Sequence, residues 1–116
     1  MGDVMPQFEP SAEIERFLDR LIYSCSEAAY VSTRQRVLRD FVTRFADAYG
    51  WDALRSAALA RLSDSDPRSV ERGLSCLFVV GTSDDVPAVE RLTAHSDVDV
   101  QKAARTCLFE LRHGKA

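Results

Sequence analysis

Apolar residues recur at three- and four-residue steps along most of this chain, and the recurrence marks out six helices. The first, expected over Ser11–Ala29, places Ile14, Phe17, Leu18, Leu21, Ile22 and Cys25 on one stripe. Glu13 and Glu15 stand in its first turn, where the helix dipole favours negative charge. The second starts at Ser32, with Gln35 completing a capping box, and carries Val37, Leu38, Phe41, Val42, Phe45 and Tyr49 up to a stop at Gly50. Asp52 caps a third, whose apolar side holds Leu54, Ala57, Ala58 and Leu62. The fourth has the plainest start. Asp66 can accept from the orphan amides of the first turn, and Pro67 occupies the first helical position, where an N–H is not needed. It runs to Val80 and stops at Gly81. A fifth spans Asp84–Ala94 with Pro87 in its first turn, burying Val86, Val89 and Leu92. The sixth begins at Asp97, carries Val100, Ala103, Ala104, Cys107, Leu108 and Leu111, and ends before Gly114. No segment alternates with the two-residue period of a strand, and the short connectors predict antiparallel neighbours.

The late helices repeat one another. Cys-Leu-Phe occurs at Cys76–Phe78 and again at Cys107–Phe109, each copy late in a segment that opens on an aspartate pair, Asp64/Asp66 and Asp97/Asp99. Self-similarity at this spacing marks stacked helical units, each hiding its apolar face only against its neighbours. Such a chain offers a surface that holds something rather than a pocket that transforms something.

The stretch from Asp64 to Leu111 resembles HEAT repeats, in particular the short bacterial HEAT-like units. The first copy supplies Asp64, Asp66, Pro67, Gly73, Leu77 and Gly81; the second supplies Asp97, Asp99, Val100, Ala104 and Leu108. Val86–Leu92 fits the family's second helix, and Ala58–Leu62 echoes it thirty residues earlier. Ser69 stands where the family usually has an apolar residue, and neither copy has its usual Val-Arg pair. The resemblance implies a short right-handed α-solenoid of three antiparallel pairs. Residues 51–112 would be the repeats, 11–50 a capping hairpin, and 1–10 and 113–116 tails. In such folds the second helix of each pair lines the concave surface, here Asp52–Arg61 and Asp84–Thr93. The residues it offers a partner are Asp84, Asp85, Glu90 and Arg91 with Arg55 and Arg61, with Asp64 and Asp97 doubling as caps.

Length and charge narrow the classes. A chain of 116 residues is a single domain by size, with a net charge of −3. No apolar run approaches the roughly 20 residues of a membrane span, and the start lacks a basic-then-apolar leader, so a cytoplasmic location is expected. Charge is uneven: six arginines face three aspartates from Tyr30 to Arg61, and eight acids face three arginines from Leu62 to Asp99. That asymmetry fits a dipolar docking surface. Arg34, Arg36, Arg39 and Arg44 give the second helix a basic face, the basis of an alternative reading as a nucleic-acid binder, although interleaved aspartates and the overall charge oppose a polyanion.

Catalytic signals are missing. Three cysteines without paired spacing argue against a disulfide framework, and Cys25, Cys76 and Cys107 fall on apolar stripes as small core residues. His95 and His113 are the only histidines; His95 beside Asp97 and Asp99 is a poor metal set without further converging ligands. The two aspartate pairs lack the glycine and distal glutamate of a calcium loop, and capping explains them. There is no Gly-x-Ser-x-Gly elbow, no glycine-rich phosphate loop, and Asp84 and Asp85 sit where a helix start wants acid. Phe17, Phe41, Phe45, Phe78 and Phe109 read as core; Trp51, after Gly50, reads either as packing between the second and third helices or as an exposed binding anchor.

The expectation is therefore an all-α, non-enzymatic protein-binding module without metal or cofactor. A narrower version is a small immunity or inhibitor protein that covers a basic toxin domain, by analogy of size and charge. The apolar end of the last helix, at Leu108 and Leu111, leaves a homodimer open.

Overall fold

Asp66 and Pro67 open the central helix as their order predicts. In the computed structural model, which describes residues 10–21 and 32–114 (without the side chains of 32–35), the Asp66 carboxylate accepts from the Arg68 amide at 3.0 Å, and Pro67 is the first helical residue. Six α-helices are described: α1 (Pro10–Asp19), α2 (Ser32–Tyr49), α3 (Trp51–Arg61), α4 (Pro67–Val80), α5 (Val86–Arg91) and α6 (Val98–Phe109). Two 3-10 turns, Ser83–Asp85 and Leu92–Ala94, flank α5, and a π turn, Glu110–Gly114, closes the chain; no strand occurs among the described residues.

Helix α4 is the centre of the fold. Every residue from Gly73 to Val80 is buried, because α1, α2, α3 and α6 all pack against it. A helix walled on all sides reads as apolar all round rather than as a stripe, and Leu74-Ser-Cys-Leu-Phe-Val-Val80 does. Gly73 permits the closest approach: a β-carbon there would lie 2.7 Å from the Ala58 carbonyl oxygen and 2.9 Å from Cβ of Arg61, so any side chain would push α3 away. Cys76 and Cys107 are fully buried, and burial pushes the Cys76 thiol far above its ordinary range.

Several boundaries differ from the sequence expectation. The described first helix ends at Asp19, where Arg20 and Leu21 donate back to Phe17 and Leu18 in a tightening turn. The expected continuation through Ile22 and Cys25 to Ala29, the Ser32–Gln35 capping box, the Arg34 side chain and the tail segments 1–9 and 115–116 lie outside the described residues. His113 and Gly114, expected in a tail, belong to the π turn. Gly50, not Asp52, is the N-cap of α3. Its φ of 106° lets the chain reverse after α2 while its amide bonds Ala46, so the helix starts at Trp51 and Asp52 falls in the first turn. The expected fifth helix is broken. Thr82 caps a 3-10 turn, accepting from the Asp84 amide at 3.3 Å while Asp85 accepts from the Thr82 amide at 2.9 Å; α proper then begins beside Pro87. Asp97 caps α6 as expected, accepting from the Val100 amide at 3.0 Å.

The core assignment also needs correction at the aromatics. Phe17 and Phe78 are buried and Phe45 packs against the core, but Phe41 and Phe109 are exposed. Trp51 is exposed too, its indole N–H donating to Asp47 one turn back at 2.8 Å. No described helix is long and apolar enough to cross a membrane.

Candidate docking surface

The six residues expected to meet a partner divide into two groups. Arg55 on α3 and Asp85 before α5 form a two-pronged fork, Nε to Oδ2 at 2.8 Å and Nη2 to Oδ1 at 2.7 Å. Asp85 is only 3% exposed. Burial alone would raise its pKa, but the Arg55 fork and the Thr82 amide outweigh that and hold it below the ordinary carboxylate range. Arg61 reaches from α3 to α1, bonding Glu15 at 2.7 Å and Asp19 at 2.8 Å with its own side chain 11% exposed. Its desolvation is likewise outweighed by Glu15 and Asp19, and its pKa is raised. These three residues hold elements of the fold to each other.

Asp84, Glu90 and Arg91 are the exposed remainder, and Glu90 is bonded to Arg112 at 3.1 Å. Asp84 and Asp52 add their fields to that of Asp85 at Arg55, and on the α3–α5 side the exposed acids Asp52, Asp84 and Glu90 outnumber the exposed Arg91. The basic face expected on α2 is thinner than its composition. Arg39 is tied to Glu110 at 2.7 Å and lies 4.7 Å over the Phe78 ring, and Arg44 pairs with Asp40 at 3.2 Å; Arg36 is exposed.

The carboxylates of Glu71, Asp97 and Asp99 come within 4.8 Å of one another, a spacing that a metal ion could bridge. Arg68 does so instead, bonding Glu71 at 2.8 Å, Asp97 at 2.7 Å and Asp99 at 3.2 Å. His95 does not join them, since its Nδ1 accepts the Asp97 amide at 2.9 Å. The aspartates thus act as cap and cross-helix tether between α4 and α6.

Two surfaces escaped the sequence reading. The first is a groove of about 370 Å³ between α1 and α2. Its aromatic floor is Phe17, stacked 3.9 Å from Phe45 and 5.0 Å from Phe41, with Tyr49 continuing the stack at 4.3 Å from Phe45. Arg16, Arg20 and Arg44 rim it, against one lining carboxylate, Glu13, which pairs with Arg16. The signal was present in the width of the α2 stripe. Leu38, Val42 and Ala46, at i, i+4 and i+8, fill the core side with Phe45 packed beside them, so Val37 and Phe41 on the adjoining edge stay exposed.

The second is the outer side of α6. Val98, Lys102, Arg105 and Phe109 are all exposed and fall within one narrow arc, with Val98 and Phe109 eleven residues, about three turns, apart. Phe109 is 66% exposed, its ring 4.7 Å from that of His113. Comparison with protein-family models, with curated proteins and with solved structures finds no match for this chain.

Proposed function

We propose that this chain is a non-enzymatic protein-docking module built as a short HEAT-like stack. The contact pattern supports the stack: α2 packs on α4 and α4 on α6, while α3 lies against α2 and α4 and α5 against α6. Arg55 and Asp85 join α3 to the turn before α5, as neighbours in a second layer would. The observation that carries the docking function is the open flank of α6. Its Val98 and Phe109, 59% and 66% exposed, are the two most exposed large apolar side chains among the described residues. Apolar groups aligned along one exposed helix face, with Lys102 and Arg105 between them, mark a surface that another protein covers. The acidic α3–α5 face, with Asp52, Asp84 and Glu90 outward, supports the narrower version in which a basic protein such as a toxin domain is covered and neutralised.

The reading is tested by affinity capture with three baits: the parent chain, Val98→Asp/Phe109→Asp, and Asp84→Lys/Glu90→Lys. A discrete partner held by the parent and lost from the α6 variant, with the far-ultraviolet helical signal unchanged, supports docking at α6. Loss from the acidic-face variant instead moves the contact to α3–α5. Identical retention by all three baits, or retention of nothing, overturns the proposal.

A further inference from the structure

We infer that the groove between α1 and α2 is a separate peptide site, selective for an amphipathic helical segment whose apolar stripe is flanked by carboxylates. The inference goes beyond the docking role of α6 and does not require that face. Its first support is shape. About 370 Å³ is near the lower end for a ligand cleft, room for anchoring side chains rather than for a whole element. The groove lies between two helices, the setting in which an apolar helix face lays its anchors. Phe41, 44% exposed, and the half-buried Phe45 present apolar surface to it, with Val37, 48% exposed, extending the same edge one turn further.

The second support is charge. Three guanidiniums meet the groove against one carboxylate, in a chain whose net charge is −3. The ion pairs they do make are local and weakly held. Arg16 bonds Glu13 three residues back on its own helix, and Arg44 bonds Asp40 four residues back, both arginines being largely exposed. Exposed intrahelical pairs of this kind contribute little and exchange readily. Arg20 is exposed and has no ion-pair partner among the described residues. Guanidinium forks favour carboxylates, which they engage with two parallel bonds.

A single-stranded nucleic acid would also want arginines and aromatics, but it needs free ring faces on which bases stack. Here Phe45 is sandwiched between Phe17 at 3.9 Å and Tyr49 at 4.3 Å, with interplanar angles of 14° and 19°, so its faces are already covered. A nucleic-acid backbone carries a charge at every step past Glu13, Asp40 and Asp47, whereas a peptide can place its acids beside Arg20 and apolar groups elsewhere.

The test is fluorescence anisotropy of the full chain titrated against a labelled amphipathic peptide of Leu, Phe, Ala and Glu. A sequence-matched peptide with Lys for Glu and an oligothymidylate serve as comparison probes. The acidic peptide is expected to bind, to weaken with salt, and to lose about tenfold or more in affinity in Arg20→Glu/Arg44→Glu and in Phe41→Ser. The lysine peptide and the oligothymidylate are expected to bind at least about tenfold more weakly. Val98→Asp/Phe109→Asp should leave acidic-peptide binding unchanged, which separates this site from the α6 surface. Tighter binding of the oligothymidylate, or acidic-peptide binding indifferent to the groove variants, overturns the inference. So does a concentration-dependent dimer that Phe41→Ser dissociates, which assigns the groove to a second copy. A gain of affinity in Asp3→Lys/Phe8→Ser does the same by assigning the groove to the chain's own N-terminal segment.

Discussion

The two copies of Cys-Leu-Phe are identical in sequence and opposite in fate. In α4 all three residues are buried, Phe78 to 1% exposure; in α6 the cysteine is buried, Leu108 is half-buried and Phe109 is 66% exposed. The thirty-one-residue offset pairs the two N-caps, Asp66 with Asp97, and the two small residues, Gly73 with Ala104. It also pairs buried Leu74 with exposed Arg105. The two helices therefore agree at their caps and small residues and differ where α4, unlike α6, is walled on every side. Helix α4 packs against α1, α2, α3 and α6, whereas α6 leaves Val98, Lys102, Arg105 and Phe109 to solvent. The elements that surround a helix, not the tripeptide, decide whether the phenylalanine is core.

The sharpest way to break that comparison is to truncate both rings. Phe78→Ala should cost about 3–5 kcal/mol, since it empties a fully enclosed site and removes the surface under the Arg39 guanidinium. Phe109→Ala should stay within about 0.5 kcal/mol of the parent, as surface substitutions do. Urea denaturation of the two variants reads the difference directly. Equal costs would mean that the α6 flank is covered in the isolated chain, and the repeat comparison would lose its meaning.

The small residues give a second, smaller contrast. Gly73→Ala forces a β-carbon against the Ala58 carbonyl at 2.7 Å and should destabilise by about 1–3 kcal/mol, although alanine is the better helix former. Ala104→Gly removes a buried methyl and loosens the helix, for a loss of roughly 1 kcal/mol. Opposite changes at equivalent positions should both destabilise, because a β-carbon has no room at Gly73 whereas the Ala104 methyl is already buried in the core. Stabilisation by Gly73→Ala would show that the α3–α4 contact can relax.

Much of this is legible in the residues alone. The Asp66-Pro67 start, the Asp97 cap, the stops at Gly50 and Gly81 and the buried cysteines follow from local rules, because each depends on a residue and its immediate neighbours. What the residues leave open is which charged and apolar groups find partners far along the chain. Asp85 and Arg55 stand among the expected contact residues because the resemblance puts their helices on the concave surface; their fork joins positions thirty residues apart, and no local rule foresees it. Arg61 with Glu15 spans forty-six residues in the same way. Phe41 and Phe109 lie on apolar stripes, but a stripe says which residues can be covered, not whether a neighbouring element arrives to cover them. The break in the fifth helix was half visible, since Thr82 and Asp85 form a capping box three residues apart ahead of Pro87.

The smallest expected effect concerns acid. Asp64 and Asp97 open the two copies, and both have depressed pKa values: Asp64 chiefly by accepting the Asp66 amide, Asp97 chiefly by accepting the Val100 amide, with Arg68 adding to the latter. Asp85, between them, is depressed as well. A carboxyl whose folded pKa lies below its unfolded value of about 3.9 stabilises the fold above that pH and loses the contribution as pH falls through the folded value. The urea midpoint should accordingly be nearly level from pH 7 to 5, as far as these groups set it, and decline below about pH 4. Asp97→Asn keeps an oxygen for the Val100 amide but removes the charge that Arg68 engages at 2.7 Å. It should lower stability slightly at neutral pH and flatten the acid limb. Asp64→Asn, whose partners are mainly amide and hydroxyl, should change neutral stability less. A midpoint that rises between pH 5 and 3 in the parent chain would contradict the sign for all three carboxylates, and an unaltered acid limb in Asp97→Asn would show that the Arg68 tether between the copies contributes nothing to their stacking.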